Sequence, residues 1–127
     1  MKVLALDYGR ARTGVAISDE TGTLARPLGT VARVRSAPGR AELVRRIRDL
    51  DPDRVVVGLP LTLSGRRGPQ AGETIAFVNE LRRACPVPVE TYDERFTTAM
   101  AGRLNGTDDD AVAAAHLLEG YLQRFAG

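Results

Sequence analysis

The strongest constraint on the fold is a run of three valines, residues 55–57, inside the segment 54–58. The run is β-branched and does not alternate with polar residues, which is typical of a strand buried on both faces. Such a strand needs a covering layer on each side, and helical patterns flank it in the chain. The sequence therefore predicts an α/β fold with this segment at the centre of its sheet.

Both flanking segments have the apolar period of an amphipathic helix. Pro38 and Gly39 begin the first, and residues 70–85 form the second. Apolar side chains recur every three or four positions in each, which places them on one face. The repeating positions are Leu43, Val44, Ile47 and Leu50 in the first helix and Ile75, Val78 and Leu81 in the second.

The N-terminal third of the chain is typical of antiparallel strands. Residues 2–7 and 13–18 are predicted strands joined by a polar turn, and residues 24–34 form a third. Pro27 and Gly29 interrupt the third strand, so an edge position is expected.

The C-terminal half adds a strand at 87–91, a short helix at 97–104, and a last helix from near Asp109 to Gly127. Right-handed crossovers would place the first, fourth and fifth strands side by side and parallel. We therefore expect a five-stranded mixed sheet with helices on both faces. A chain of 127 residues fits one domain spanning 1–127.

Several protein classes conflict with this sequence. No segment resembles a membrane span, and the opening apolar run at 3–6 is cut short by Asp7, unlike a secretory signal. Cys85 is the only cysteine, so an internal disulfide is excluded. The expected compartment is the cytoplasm, with no membrane partner.

The distribution of charge suggests a nucleic-acid partner. Seventeen of the eighteen basic residues are arginine, which binds phosphate in a bidentate way, although a GC-rich genome also favours arginine. Residues 1–67 hold 13 basic and 7 acidic side chains, and residues 68–127 hold 5 and 9. A basic half joined to an acidic half suits a protein that binds phosphates and concentrates carboxylates at one place.

Acidic residues follow the predicted parallel strands. Asp7 ends the first strand, and Asp93 and Glu94 follow the strand at 87–91. Gly58 ends the central strand and leaves room for a ligand. The carboxyl ends of parallel strands share one edge of the sheet, here called the rim, where ligands bind in open α/β sheets. One acid alone is commonly just a solvated strand end, but two acids at one rim favour a site.

The last helix contributes a further acid. At about 100° per residue, Asp110 falls within an apolar stripe, whereas Asp108 and Asp109 point away and suit capping. A carboxylate directed inwards needs a cation, although acids at helix starts are also common for capping alone. The stripe consists of Ala114, Leu117, Leu118, Tyr121 and Phe125.

Acids around one rim, without a histidine or cysteine cluster, favour Mg²⁺ or Mn²⁺. Two such ions are used for phosphodiester hydrolysis. Arg12 and Arg95 lie near the predicted rim and could stabilise phosphate charge, although each could also be an ordinary surface residue.

Four segments, taken together, resemble the motifs of the YqgF/RuvX family. They span essentially the whole chain in order, at residues 4–16, 57–61, 93–98 and 110–121. The resemblance implies a ribonuclease-H-like fold and a nuclease that matures the small-subunit ribosomal RNA, although many members carry the older label of Holliday-junction resolvase. It also implies that Asp7, Glu94 and Asp110 are the catalytic metal-binding acids.

The chain departs from the family pattern in two places. Residues 99–109 are shorter than the usual segment and contain Arg103 as their only basic residue. In the central loop, Thr62 and Ser64 replace a usual asparagine and a frequent acid. Arg66 and Arg67 follow them and are expected to contact phosphate, as are Arg12, Thr13 and Arg95.

Three alternatives stay open at this point. A resolvase would act on branched DNA as a dimer, so the chain could be a monomer or a homodimer. The segment 7–16 also resembles the phosphate loop of actin-like ATPases, which close two such lobes around nucleotide, whereas this chain supplies one. A non-catalytic nucleic-acid-binding module is the third reading, but it gains nothing from carboxylates near phosphate.

Overall fold

A computed structural model describes residues 1–60, 68–93 and 110–126, with only the backbone of Ala126. The elements follow in the order β1 Val3–Asp7, β2 Arg12–Ser18, β3 Ala25–Ala32, α1 Ala37–Leu50, β4 Arg54–Leu59, α2 Pro69–Ala84, β5 Val89–Asp93 and α3 Asp110–Tyr121. A π-helical segment, Leu122–Ala126, continues α3.

The five strands form one sheet in the order β3-β2-β1-β4-β5. Strands β1, β4 and β5 are parallel, and β2 and β3 extend the sheet antiparallel on one side. The expected parallel trio, the hairpin extension and the edge position of β3 are confirmed. A register shift lies between Val15 and Ala16 where β2 pairs with β3, opposite the segment that contains Pro27 and Gly29.

Helices cover both faces of the sheet, as expected. The three valines of β4 have no exposed surface. Val55 and Val57 belong to a core formed with α1 and α2, whereas Val56 belongs to a second core formed with α3. This explains why the valine run does not alternate, since every residue in it needs an apolar partner.

The first turn of α3 packs very closely against the sheet. Ala111, Ala113 and Ala114 are buried there, and their small side chains allow the approach. A β-carbon built at Gly14 of β2 would lie 1.8 Å from the carbonyl oxygen of Asp110. Only glycine therefore fits at position 14 without displacing the helix.

The other end of α3 is fixed by a polar cluster. Arg54 of β4 donates a hydrogen bond of 2.8 Å to the Tyr121 hydroxyl, and Tyr121 donates to the carboxylate of Glu90 on β5. The ring of Tyr121 also meets that of Tyr92 edge-on at 5.7 Å. Both ends of α3 are thus held to the sheet.

The predicted bounds of β5 and the predicted burial of Phe125 were wrong. Strand β5 is Val89–Asp93 instead of 87–91, because its parallel ladder with β4 runs from Val89 to Asp93, while Pro86 and Pro88 lack the N–H that a ladder uses. Phe125, predicted in the buried stripe, is 63% exposed, because the π-helical segment changes the helical phase after Tyr121. The helix predicted at 97–104 lies outside the described residues.

None of the helices in the three described stretches has the length and apolar character needed to cross a membrane.

The packing at Gly14 predicts the effect of Gly14→Ala. The added methyl would collide with the backbone of α3, so the free energy of unfolding should fall by about 1–3 kcal/mol, as for overpacked cores. Urea denaturation followed by circular dichroism measures this change.

Gly72→Ala is the matched control. Gly72 is exposed in α2, and nothing lies within 4 Å of a β-carbon placed there. Alanine at this helical position should stabilise the protein by about 0.5–1 kcal/mol. Equal effects of the two substitutions would contradict the close approach of α3.

Candidate active site at the rim of the sheet

Asp7 is a buried carboxylate at the end of β1, with 4% of its surface exposed. Side chains alternate along a strand, so Asp7 shares the face of Val3 and Ala5, which pack against α3. On the β2 side, the residue that pairs with Asp7 is Gly14. The carboxylate therefore lies at the rim, next to the glycine that α3 approaches.

Asp110 reaches the same place from α3. It is the first described residue of that helix, and its backbone carbonyl is the atom that lies against Gly14. Its side chain is 32% exposed and forms an ion pair with Arg12, whose Nε lies 3.3 Å from Oδ2. Asp7 pairs with Gly14 within the sheet and Asp110 lies against Gly14 from α3, so both aspartates are neighbours of this glycine.

The ends of β4 and β5 complete the described part of the rim. Gly58 pairs with Tyr92, and Leu59 pairs with Asp93, the last residue of β5. Asp93 therefore belongs to the strand, instead of following it as predicted. Glu94, the next residue in the chain, lies outside the described residues.

A cleft of about 420 Å³ opens at the rim beside Asp7. Asp110 does not line it in the described part of the chain. The lining residues come from the ends of β1 and β4 and from the first turns of α2: Asp7, Tyr8, Gly9, Arg10, Gly58, Pro60, Pro69, Gln70, Glu73 and Thr74.

One wall of the cleft is a polar cluster that sequence reasoning missed. Glu73 of α2 accepts a hydrogen bond of 2.7 Å from the Tyr8 hydroxyl, and the Nε of Arg10 donates to both of its carboxylate oxygens, at 3.0 and 2.9 Å. Tyr8 stacks on Phe77 with ring centroids 4.9 Å apart. Helix α2 follows β4, so its first turns must lie at the rim. That topology was the available signal for Glu73.

The cluster favours an ionised Glu73 beside a neutral Tyr8. Hydrogen bonds from Tyr8 and Arg10 hold the pKa of the Glu73 carboxyl below its ordinary value. Burial, together with the hydrogen bond to Glu73, raises the pKa of the Tyr8 phenol to about 12. At neutral pH the phenol therefore keeps its proton and donates it in the bond to Glu73.

Thr13 has a supporting place in the structure. It is fully buried, and its Oγ1 lies 3.4 Å from the amide nitrogen of Gly9 and 3.5 Å from the Gly9 carbonyl oxygen. These contacts hold the turn between β1 and β2, and they leave the hydroxyl no exposed surface for nucleic acid. The predicted phosphate contacts Arg66, Arg67 and Arg95 lie outside the described residues.

The carboxylates at the rim fit a hard cation by their chemistry. Asp7 and Asp110 offer only oxygen atoms, the donors that Mg²⁺ and Mn²⁺ prefer. The side chain of Asp110 already attracts a cationic group, the guanidinium of Arg12. The described residues contain no group of three acids, histidines or cysteines able to hold a metal.

Comparison with known proteins gives a consistent family. The profile of the RuvX family, described as Holliday junction resolvase, matches residues 1–124. A Moorella thermoacetica protein named "Putative pre-16S rRNA nuclease" is 38% identical, over 98% of this chain and 96% of its own length. A Chloroflexus aurantiacus protein of the same name is 40% identical, over 94% and 85% respectively.

Solved structures share the fold at low sequence identity. RuvC of Thermus thermophilus in complex with a Holliday junction substrate has a TM-score of 0.60 at 19% identity, covering all of this chain and 96% of RuvC. The fowlpox virus resolvase with Holliday junction DNA has a TM-score of 0.63 at 13% identity, with both chains fully covered. This likeness concerns the fold alone, and it confirms the ribonuclease-H-like architecture that the motifs imply.

The family profile covers nearly the whole chain, and relatives at 38% and 40% identity cover almost as much of it. The chain belongs to the RuvX family.

Proposed function

We propose that this protein is a metal-dependent nuclease that hydrolyses phosphodiester bonds during maturation of the 5′ end of precursor 16S ribosomal RNA. The observation that carries the proposal is that Asp7 and Asp110 are both neighbours of Gly14 at the rim. Membership of the RuvX family and the names of its relatives support the same activity. The compartment we propose is the cytoplasm.

Asp7, Glu94 and Asp110 would hold the metal, Mg²⁺ or Mn²⁺, as two ions. When bound, the ions supply an activated water and stabilise the leaving oxygen. Asp7 contributes a carboxylate whose position is fixed by burial at the end of β1. Glu94 directly follows Asp93, the last residue of the neighbouring parallel β5. Asp7 and Asp110 reach one rim from distant parts of the chain, and Glu94 is proposed to join them there.

The surroundings of these acids suit a phosphate substrate. Arg12 forms an ion pair with Asp110, which is a proposed metal ligand. Its guanidinium therefore lies next to the proposed metal site and can stabilise charge on the phosphate. Gly58 leaves the end of β4 open toward the cleft. Arg66, Arg67 and Arg95 are proposed as further phosphate contacts from the sequence.

A Holliday-junction resolvase is the second candidate. The description of the family favours it, and RuvC and the fowlpox enzyme were solved with junction DNA. Symmetric cleavage of a junction requires two active sites and hence a homodimer, whereas a monomer suffices to cut one RNA strand.

The metal proposal predicts the effect of Asp7→Asn. The substitution keeps the shape of the side chain but removes its charge, so cleavage should fall on the order of 10³- to 10⁴-fold, as when a catalytic group is lost. Binding of Mn²⁺ should weaken in parallel, because an amide is a poorer ligand than a carboxylate. Cleavage of end-labelled RNA and calorimetric titration with Mn²⁺ measure the two effects.

The matched control is Asp49→Asn, at an exposed position of α1 far along the chain from the rim acids. It should leave cleavage and metal affinity unchanged. Full activity of a folded Asp7→Asn protein would remove Asp7 from the mechanism.

The choice of substrate predicts a second result. Wild-type protein with Mn²⁺ or Mg²⁺ should cut precursor 16S ribosomal RNA in preference to a four-way DNA junction of equal length. The test measures the cleavage rates on both substrates and, separately, the mass of the protein in solution. Together they decide between RNA and the DNA junction as the substrate. Faster symmetric cleavage of the junction by a dimer would replace the RNA proposal with the resolvase.

A further inference from the structure

Beyond the cleft, a second concave surface lies between Tyr8 and Ser36, the N-cap residue of α1. It has a volume of about 560 Å³ and is open to solvent; we call it the arginine groove. We propose that the arginine groove binds the sugar-phosphate backbone of one nucleic-acid strand on its way to or from the cleft. This inference rests on the proposed nuclease function. The groove is lined by Tyr8, Arg10, Ala11, Arg33, Arg35, Ser36 and Glu73.

The groove and the cleft adjoin each other. Tyr8, Arg10 and Glu73 line both, so the hydrogen-bonded cluster of these residues is a shared wall. A strand with one phosphate in the cleft next to Asp7 can therefore continue across this wall into the groove without leaving the protein surface.

Arg10 is held in a geometry that suits phosphate. Its side chain is 85% exposed, whereas that of Glu73 is only 19% exposed and lies beneath it. Only Nε of Arg10 contacts the Glu73 carboxylate, so the two terminal nitrogens of the guanidinium remain for another acceptor. A guanidinium oriented in this way can offer a bidentate contact to a phosphate with little further ordering.

Arg35 also lines the groove and is held by a carboxylate, here through two nitrogens. Its Nε and Nη2 donate to Glu80 at 3.4 and 2.8 Å, and Glu80 also contacts Arg40 at 3.3 Å. Glu80 is therefore shared by two arginines and does not neutralise both. The positive charge of this wall exceeds its negative charge.

Arg33 is fixed by its backbone. Its φ is 46°, the left-handed region that residues other than glycine adopt only when the surroundings enforce it. Its N–H donates to the carbonyl of Ala11 at 3.1 Å, and its carbonyl accepts from the amide and the hydroxyl of Ser36 at 2.9 and 2.6 Å. In the described part of the chain its side chain forms no ion pair. A rigid turn thus presents to the groove a cation that no described carboxylate pairs with.

The groove therefore lines its surface with three arginines and one carboxylate, Glu73. Phosphate is the ligand that arginine recognises best through paired N–H groups, and a polyanion gains from several such contacts along one track. All three arginines belong to the first half of the sequence, where basic residues exceed acidic ones.

The test measures binding separately from cleavage. Fluorescence anisotropy of a labelled single-stranded RNA is followed in EDTA, at several salt concentrations, for the wild type, Arg33→Asn and the double variant Arg10→Gln/Arg33→Asn. Asparagine tolerates the left-handed backbone, so Arg33→Asn should fold normally. Affinity should fall about 3- to 10-fold for each arginine removed, and the slope of log K against log salt should shrink by about 0.7 for each lost phosphate contact.

The control is Arg26→Asn. Arg26 is exposed on β3 and pairs with Ile17, toward the end of the sheet opposite the rim. It should bind RNA like the wild type. The proposal would be overturned if the groove variants bound RNA as tightly as the wild type does. It would also be overturned if their affinity for an acidic peptide fell while their affinity for RNA did not.

The outcomes separate this inference from the nuclease proposal. If the wild type binds RNA through the groove but never cleaves it with any metal, the groove stands and the nuclease proposal fails. If Asp7-dependent cleavage occurs while the groove variants bind normally, the groove is rejected alone.

Discussion

The contact between the first turn of α3 and Gly14 of β2 is the constraint on which the site depends. It is a backbone-to-backbone contact, possible only because position 14 has no side chain and the first turn of the helix is rich in alanine. Because Gly14 pairs with Asp7, this contact determines how closely an aspartate from the last helix can approach one from the first strand. Packing and chemistry are therefore coupled at one glycine.

The aspartates of the rim and the cluster of Tyr8, Arg10 and Glu73 lie on different sides of β1. Asp7 shares the face of the sheet that α3 covers, whereas Tyr8, the next residue, packs toward α2 through Phe77. The acidic pair and the Glu73 cluster are thus separated by the thickness of one strand. A phosphate chain that contacts both would pass over the end of β1, where the cleft lies.

Local sequence signals predicted the architecture, because each corresponds to a strong physical preference. The valine run of β4 demanded two covered faces, and Pro27 and Gly29 excluded β3 from the interior. Helical phase, together with the family motif, separated Asp110 from its two neighbouring aspartates. The structure describes it at the start of α3, beside the rim.

Features that depend on contacts between distant segments were not predictable in the same way. The role of Glu73 arises from its bonds to Tyr8 and Arg10, 65 and 63 positions away in the chain. Strand β5 ends at Asp93, beyond its predicted end, because the partner strand β4 sets the length of the ladder. Phe125 is exposed, contrary to the prediction, because a π-helical segment follows α3.

The order of two adjacent residues, Asp7 at the end of β1 and Tyr8 directly after it, has a consequence for how β1 can vary. The strand is clamped between an antiparallel and a parallel neighbour, so a slip by one residue would exchange its two faces. Such a slip would drive a charged carboxylate into the apolar layer around Phe77 and turn the phenol of Tyr8 away from Glu73. Insertions or deletions in this strand should thus prevent the protein from folding, whatever their effect on catalysis.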